Sequence, residues 1–252
     1  MKRIGLLGCG NIAAIIAREL PSLNCVAVYD IVPEKTRELA ELTGARACKS
    51  FAEFNECDFA LVVEVASVEG LLLHCESILN AGKDLLALSA GAFLDAGFRE
   101  NMIHLARQSG ARIQIPSGAV FGLDNLQIGK LSAVDRVTLR TTKSPGALAP
   151  DATERTCLFR GSAVDAIQHF PKNINVGAAL SLAADKEVEV EVWVDPTATR
   201  NTHEVLVHGR FGELSMLIAN NPCPDNPRTS YLAALSVMAV LSKEDEVFVV
   251  GN

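Results

Sequence analysis

The sequence predicts an α/β chain in two parts. The first is a doubly wound parallel sheet with helices on both faces. The second is an α+β part carrying a mostly antiparallel four-stranded sheet. Three observations carry that expectation. Strand-length apolar runs alternate with helix-length amphipathic runs as far as residue 115, the grammar of repeated βα units. After Pro116 the strand segments alternate strictly between apolar and polar residues, as half-buried strands do. A chain of 252 residues is long enough to bury a core in each part.

Each element has its own signal. Residues 3–7 form a short apolar strand, and 11–20 a helix with Ile12, Ile15, Ile16 and Leu20 on one stripe. Residues 25–29 form the next strand. The helix over 33–42 has Pro33 in its first turn and stops at Gly44. The near-continuous apolar run 59–65 suits a strand covered on both faces. Ser67 is placed to cap a helix reaching Asn80. Strands over 84–89 and 112–115 flank a helix over 95–109, closed by Gly110.

In the second part, 134–142 and 187–194 alternate. In the latter Val188, Val190, Val192 and Val194 share one face, and Glu189, Glu191 and Trp193 share the other. An apolar helix over 174–184 precedes it. Strands over 203–208 and 213–218 flank the hairpin connection 209–212. Pro222, Pro224 and Pro227 crowd the approach to a last helix over 229–241, capped by Thr229 or Ser230 and expected to return to the first part.

Composition excludes several functions. With 49% hydrophobic and 21% charged residues the chain is an ordinary globular one. Its net charge of −7, without a basic run, argues against nucleic acid and anionic membranes. No apolar stretch is long enough to span a bilayer. The N-terminal run reads as strand, turn and helix rather than a targeting signal, because Gly8 and Gly10 break it and Arg18 and Glu19 follow. Seven cysteines, with no CxxC pair, read as reduced thiols of a cytoplasmic protein.

Gly8-Cys9-Gly10-Asn11-Ile12-Ala13 is GxGxxA between a strand and a helix. Gly8 permits the tight turn, Gly10 lets a diphosphate approach the backbone, and Ala13 lets helix and strand pack closely. Asp30 ends the next strand, where a carboxylate would hold the adenosine ribose hydroxyls. No arginine follows it to meet a 2′-phosphate, so NAD is expected to be preferred, with NADP possible as a second cofactor. Ala66 and Ser67, past the end of the 59–65 strand, are expected to line the dinucleotide; Ser67 serves equally well as a helix cap.

Among five histidines, none sits in an HxxxH or HExxH arrangement, so no metal is expected. His74 and His104 lie in amphipathic helices as surface or packing residues. His203 opens a strand just after Thr199-Arg200-Asn201-Thr202, a setting in which an imidazole can be oriented and can titrate near neutrality.

Several segments together resemble the L-aspartate dehydrogenase family: 8–13, 116–124 (PSGAVFGLD), 170–176 (FPKNINV), 201–204 (NTHE) and 226–230 (NPRTS). They run in order across the chain. The resemblance implies a Rossmann-type domain over 1–116, an α+β catalytic and oligomerisation domain over 117–225, and a segment over 226–252 returning to the first domain. It implies His203 as the catalytic histidine, and nicotinamide-side contacts from Ala119 and from Asn173 or Asn175. Arg228 stands where the family pattern has Lys, which keeps charge but changes geometry. The implied reaction is oxidative deamination of L-aspartate through iminoaspartate to oxaloacetate and ammonia, and its reverse. His203 would either deprotonate the amine or activate water. Two substrate carboxylates need partners, and Lys143, Lys172, Arg200 and Arg228, with the hydroxyls of Thr202, Thr229 and Ser230, are candidates. A reductase resembling dihydrodipicolinate reductase or homoserine dehydrogenase shares the fold logic, and a non-catalytic NAD-binding sensor would keep only the glycine loop and Asp30. The sheet face bearing Trp193 is expected to join subunits of a homodimer or a dimer of dimers.

Overall fold

The structure, a computed structural model of the chain, describes residues 2–170, 175–223, 226–243 and 247–248, and the side chains among them except those at 128, 147 and 226–229. It divides into two compact units, one running to Pro116 and taking up the chain again from Ala234, the other Ser117–Ala233. Residues 226–233 thus group with the second unit.

The first unit runs β1 (Ile4–Leu7), α1 (Asn11–Glu19), β2 (Cys25–Tyr29), α2 (Pro33–Thr43), β3 (Arg46–Ala47), α3 (Phe51–Glu56), β4 (Leu61–Glu64), α4 (Val68–Asn80), β5 (Asp84–Ala87), α5 (Ala96–Ser109) and β6 (Ile113–Gln114). Its strands are ordered β3-β2-β1-β4-β5-β6, every neighbouring pair parallel. The chain winds outward from β1 in one direction, then restarts at β4 in the other. The C-terminal ends of β1 and β4 therefore flank the switch point, where open α/β sheets bind ligands.

Local chemistry sets the helix ends. Gly44 closes α2 at φ 70°, the left-handed cap that glycine adopts without strain. The Ser67 hydroxyl accepts from Gly70 N at 3.1 Å, and the Asp95 carboxylate accepts from Phe98 N at 2.7 Å. Ile4, Leu6, Ala13, Ile16 and Val63 are buried together in one core.

The second unit runs α6 (Leu123–Leu126), β7 (Val134–Lys143), α7 (Pro145–Leu148), β8 (Thr156–Ser162), α8 (Ala163–His169), α9 (Asn175–Ala184), β9 (Glu189–Val194), β10 (Asn201–Gly209), β11 (Gly212–Asn220) and the short ladder β12 (Pro222–Cys223) with β13 (Asn226–Ser230). Its main sheet has five strands, not four, in the order β11-β10-β7-β9-β8. The added strand is β8, an edge strand without a fully buried residue, so its sequence shows no clean alternation. Three pairings are antiparallel, and β7–β9 is parallel. The inner face is aliphatic along most of its length: Val137, Leu139, Val188, Val190, Val192, Val194, Val205 and Val207 are all buried. Helices α8 and α9 pack against this sheet.

The chain ends in α10 (Tyr231–Lys243), whose Val237, Met238 and Leu241 join the core of the first unit. No helix among the described residues is long and apolar enough to cross a membrane.

Candidate active site

The candidate site of the first unit is made of backbone. Gly8 sits at φ +95°, and a Cβ there would come within 2.6 Å of Ala66 Cα. Only glycine satisfies both limits, so Gly8 seats the loop after β1 directly on the loop after β4. Gly10 differs: a Cβ there would meet nothing within 4 Å. Its bare backbone faces open space at the N-terminus of α1, which has no side-chain cap. The first amide donors of that helix are thus available to an anion. Beside them the Asn11 Nδ2 is buried without a hydrogen-bond partner, a donor waiting for an acceptor. Ile12 is half-buried against the core of the unit. These features fit a dinucleotide diphosphate.

Asp30, just past β2, braces this loop. One carboxylate oxygen accepts from Cys9 N at 2.8 Å, the other from Val32 N at 2.9 Å. Each oxygen keeps lone-pair capacity for a ribose hydroxyl. Ala66 and Ser67 are exposed on the neighbouring loop. Ser67 is seen in its capping role.

Glu64, at the end of β4 in the segment expected to line the dinucleotide, is fully buried. Its carboxylate accepts from Ala66 N at 2.8 Å, Ser89 N at 3.0 Å and Ser89 Oγ at 2.8 Å. It therefore ties the ends of β4 and β5 to the loop that Gly8 touches. Burial pushes its carboxyl up to about 7, against the pull of those donors.

The candidate site of the second unit is made of side chains. Along the inner face of the second sheet the aliphatic rows give way to polar ones at one end. His203 on β10 stands opposite Thr141 on β7, and its Nδ1 lies 3.0 Å from the threonine Oγ1. Lys143 is two residues further along β7 on the same face, and is buried. Asn220, at the end of β11, is buried too and donates from Nδ2 to the Ala119 carbonyl at 3.0 Å. Burial lowers the Lys143 ammonium to about 8. Burial and the neighbouring Lys143 charge lower His203 to about 3. This corrects one expectation: the His203 imidazole is neutral well below pH 7 rather than titrating near it, because it is enclosed and faces a cation.

The remaining sequence-derived residues are less uniformly placed. Asn175 opens α9, and its Oδ1 is buried without a hydrogen-bond partner. Asn173 and Lys172 lie outside the described residues, as do the side chains of Arg228 and Thr229. Thr202 and Arg200 line a cavity of about 330 Å³ with Thr142, Arg155 and Asp195. Thr202 and Thr142 alternate with His203 and Thr141, so this cavity opens on the other face of the sheet from His203. His74 stacks on Phe51 at 3.7 Å between ring centres, a packing residue. Among the described residues no group of three or more His, Cys, Asp or Glu could hold a metal.

A nucleotide cradle at the switch point of one unit, with buried basic side chains in another, is the build of a small two-domain dehydrogenase. Comparison with known proteins narrows the class. Residues 124–244 match the family profile described as aspartate dehydrogenase, C-terminal, and residues 8–116 that described as homoserine dehydrogenase, NAD binding domain. The chain is 48% identical over 252 residues to an L-aspartate dehydrogenase of Methanospirillum hungatei, covering all of both chains. It is 40% identical over 267 residues to one of Methanococcus maripaludis, again covering both in full. The crystal structure of an aspartate dehydrogenase from Thermotoga maritima superposes with a TM-score of 0.85 at 29% identity, over the whole of both chains. The chain belongs to the aspartate dehydrogenase family. The profile matching residues 124–244 is that of aspartate dehydrogenase and the full-length relatives carry that name, so the homoserine dehydrogenase alternative is not favoured.

Proposed function

We propose that the protein is an NAD-dependent L-aspartate dehydrogenase: it oxidises L-aspartate to iminoaspartate, which water converts to oxaloacetate and ammonia, and it runs the reverse. The end-to-end likeness to proteins named for that activity carries the reading. When bound, the oxidised nicotinamide accepts hydride from Cα of the amino acid. The protein's own residues bind, orient and move protons. Gly8, Gly10, Asn11 and Ile12 hold the diphosphate, with Ala66 and Ser67 beside it. Asp30 holds the ribose diol, and its charge repels a 2′-phosphate, favouring NAD over NADP. Ala119, Asn173 and Asn175 serve the nicotinamide end; the unclaimed Asn175 Oδ1 is an acceptor suited to an amide donor.

Hydride leaves Cα only when the amine is neutral, so one ammonium proton must go to a base. His203 is that base, or takes a proton from the water that attacks the imine. Its neutral state leaves a nitrogen lone pair, and the Thr141 hydroxyl fixes which way the ring points.

The proposal extends to a cytoplasmic homo-oligomer with no nucleic-acid or membrane partner. Seven free thiols suit a reducing compartment. The edge strand β11 leaves Leu217 73% exposed on the outer sheet face, the kind of edge that proteins cover. Trp193 itself is less open than expected, because the Arg155 guanidinium lies 4.4 Å above its ring. The test of function is the appearance of reduced cofactor when NAD is mixed with L-aspartate, across a panel of amino acids. Tight cofactor binding with no turnover of any of them would support the sensor instead.

A further inference from the structure

Two of the seven thiols meet at one edge of the first unit. Cys48 follows the strand β3, and Cys57 follows the helix α3. They are nine positions apart in the chain, and their Sγ atoms lie 3.8 Å apart. That is contact distance, and a disulfide bond of about 2 Å requires an approach of about 2 Å more. The local structure can give that much. β3 is a two-residue edge strand, held to β2 through the pairs Ala27–Arg46 and Val28–Ala47. α3 is only six residues long.

The two sulfurs have different settings. Cys57 Sγ has a cation beside it: Arg46 Nη1 lies 4.0 Å away, and the ion pair of Arg46 with Glu53 holds that guanidinium in place. A second cation braces the same residue. The Lys83 ammonium donates to the Cys57 carbonyl at 2.8 Å and to the Asn55 carbonyl at 2.6 Å. Positive charge next to a sulfur stabilises the negative charge it carries while attacking an electrophile. Cys57 is also the less enclosed of the pair, 8% exposed against 3% for Cys48. Burial pushes the Cys48 thiol up to about 12, so it stays protonated. One sulfur is thus set to attack and the other, in contact with it, to resolve.

We propose that Cys48 and Cys57 form an oxidisable dithiol, which hydrogen peroxide converts to a disulfide. The Cys57 sulfur attacks one peroxide oxygen, the O–O bond breaks, and water leaves, giving a sulfenic acid at Cys57. The Cys48 sulfur then attacks the Cys57 sulfur. The S–O bond breaks, and its oxygen leaves with the Cys48 proton as a second water. The two sulfurs together lose two electrons, which the peroxide gains. A thiol reductant reverses the bond by exchange. Capture by Cys48 also spares Cys57 the further, irreversible step to sulfinic acid. The proposal is independent of the reaction catalysed elsewhere in the chain.

The test is mass spectrometry of the full-length protein after exposure to hydrogen peroxide. Wild type should lose about 2 Da, regain it with dithiothreitol, and yield a cross-linked peptide pair holding Cys48 and Cys57. Cys48→Ser should lose no mass; its Cys57 should be trapped by dimedone as sulfenic acid and, left longer, gain about 32 Da as sulfinic acid. Cys57→Ser should leave Cys48 unoxidised under the same exposure. Thermal melting establishes that each variant is folded, and alanine replaces serine where it is not. An unchanged wild-type mass, a cross-link joining other cysteines, or a Cys48→Ser protein that still forms the bond overturns the proposal. So does oxidation of Cys48 in Cys57→Ser at the wild-type rate.

Discussion

The two units carry candidate sites built from different materials. In the first unit the cradle is backbone: a glycine at φ +95°, a bare amide at Gly10 and the start of α1. In the second unit the candidate groups are side chains on the strands β7, β10 and β11, set on one face by register. Backbone sites need particular residues at consecutive positions, so they leave a motif. Side-chain sites need residues far apart in sequence that share one sheet face, so they leave none. The electrostatics differ as well. The first unit buries an acid, Glu64, among donors and raises its pKa; the second buries two bases and lowers theirs.

The largest expected effect breaks the side-chain site and spares the backbone one. His203→Asn keeps polarity and approximate size but cannot exchange a proton in the same way. Turnover should fall by roughly 10²–10⁴-fold, the usual scale of general acid–base catalysis, while NAD affinity stays within about twofold of wild type. Because the imidazole is held neutral down to about pH 3, kcat/KM should not lose a near-neutral limb. Near-normal turnover in a folded variant would remove His203 from the mechanism.

Gly8→Ala attacks the backbone site. The added methyl must displace the Ala66 main chain from 2.6 Å and hold a left-handed conformation. The sum is about 2–5 kcal/mol of lost stability, with cofactor binding lost in parallel. Chemical denaturation and NAD titration measure both. Gly10→Ala is the control, because its Cβ meets no protein atom; it should melt like wild type and still bind NAD poorly. Equal behaviour of the two variants would contradict the division of labour between the glycines.

That contrast explains what was legible in the sequence. The doubly wound sheet, GxGxxA and Asp30 follow from local periodicity and spacing. The strand β8 did not, because an edge strand needs no buried stripe. Nor did the two-residue β3 or the six-residue α3, which are too short to show a period. His203 drew attention through its neighbours in the chain, but its partner Thr141 is 62 residues away. Lys143 was one cation among several until register put it on the face of His203. Glu64 ends an apolar strand in the segment expected to line the dinucleotide, but its burial could not be read from the chain, because only the fold encloses it.

Glu64→Gln sharpens the comparison within the first unit. The carboxylate is surrounded by donors only, so an amide must turn its own donors toward at least one of them. A cost of about 1–3 kcal/mol is expected at neutral pH. The substitution also changes the pH dependence. The folded pKa is raised from 4.5 to about 7, so this group's stabilisation is full below about pH 4.5 and is lost as pH rises through 7. Wild-type stability should therefore fall relative to Glu64→Gln across that window, by at most about 3 kcal/mol. Parallel denaturation profiles for the two proteins between pH 4.5 and 7 would show that Glu64 is not the buried acid described.

The smallest effect concerns cofactor choice, and it needs a ratio rather than an absolute affinity. Asp30 does two things: it accepts from Cys9 N and Val32 N, bracing the glycine loop, and it presents negative charge where the adenosine ribose is proposed to bind. Asp30→Ala removes both. Loss of the brace should weaken NAD and NADP alike, since they share the diphosphate. Loss of the charge acts differently on each: NAD forfeits a charge-assisted hydrogen bond, while NADP is freed from repulsion at its 2′-phosphate. The common damage cancels when kcat/KM for NAD is divided by kcat/KM for NADP. That quotient should favour NAD in wild type and drop about tenfold or more in Asp30→Ala, equivalent to about 1.4 kcal/mol. An unchanged quotient with both values lowered would leave Asp30 as a loop brace alone, and the preference for NAD would then have to arise elsewhere in the first unit.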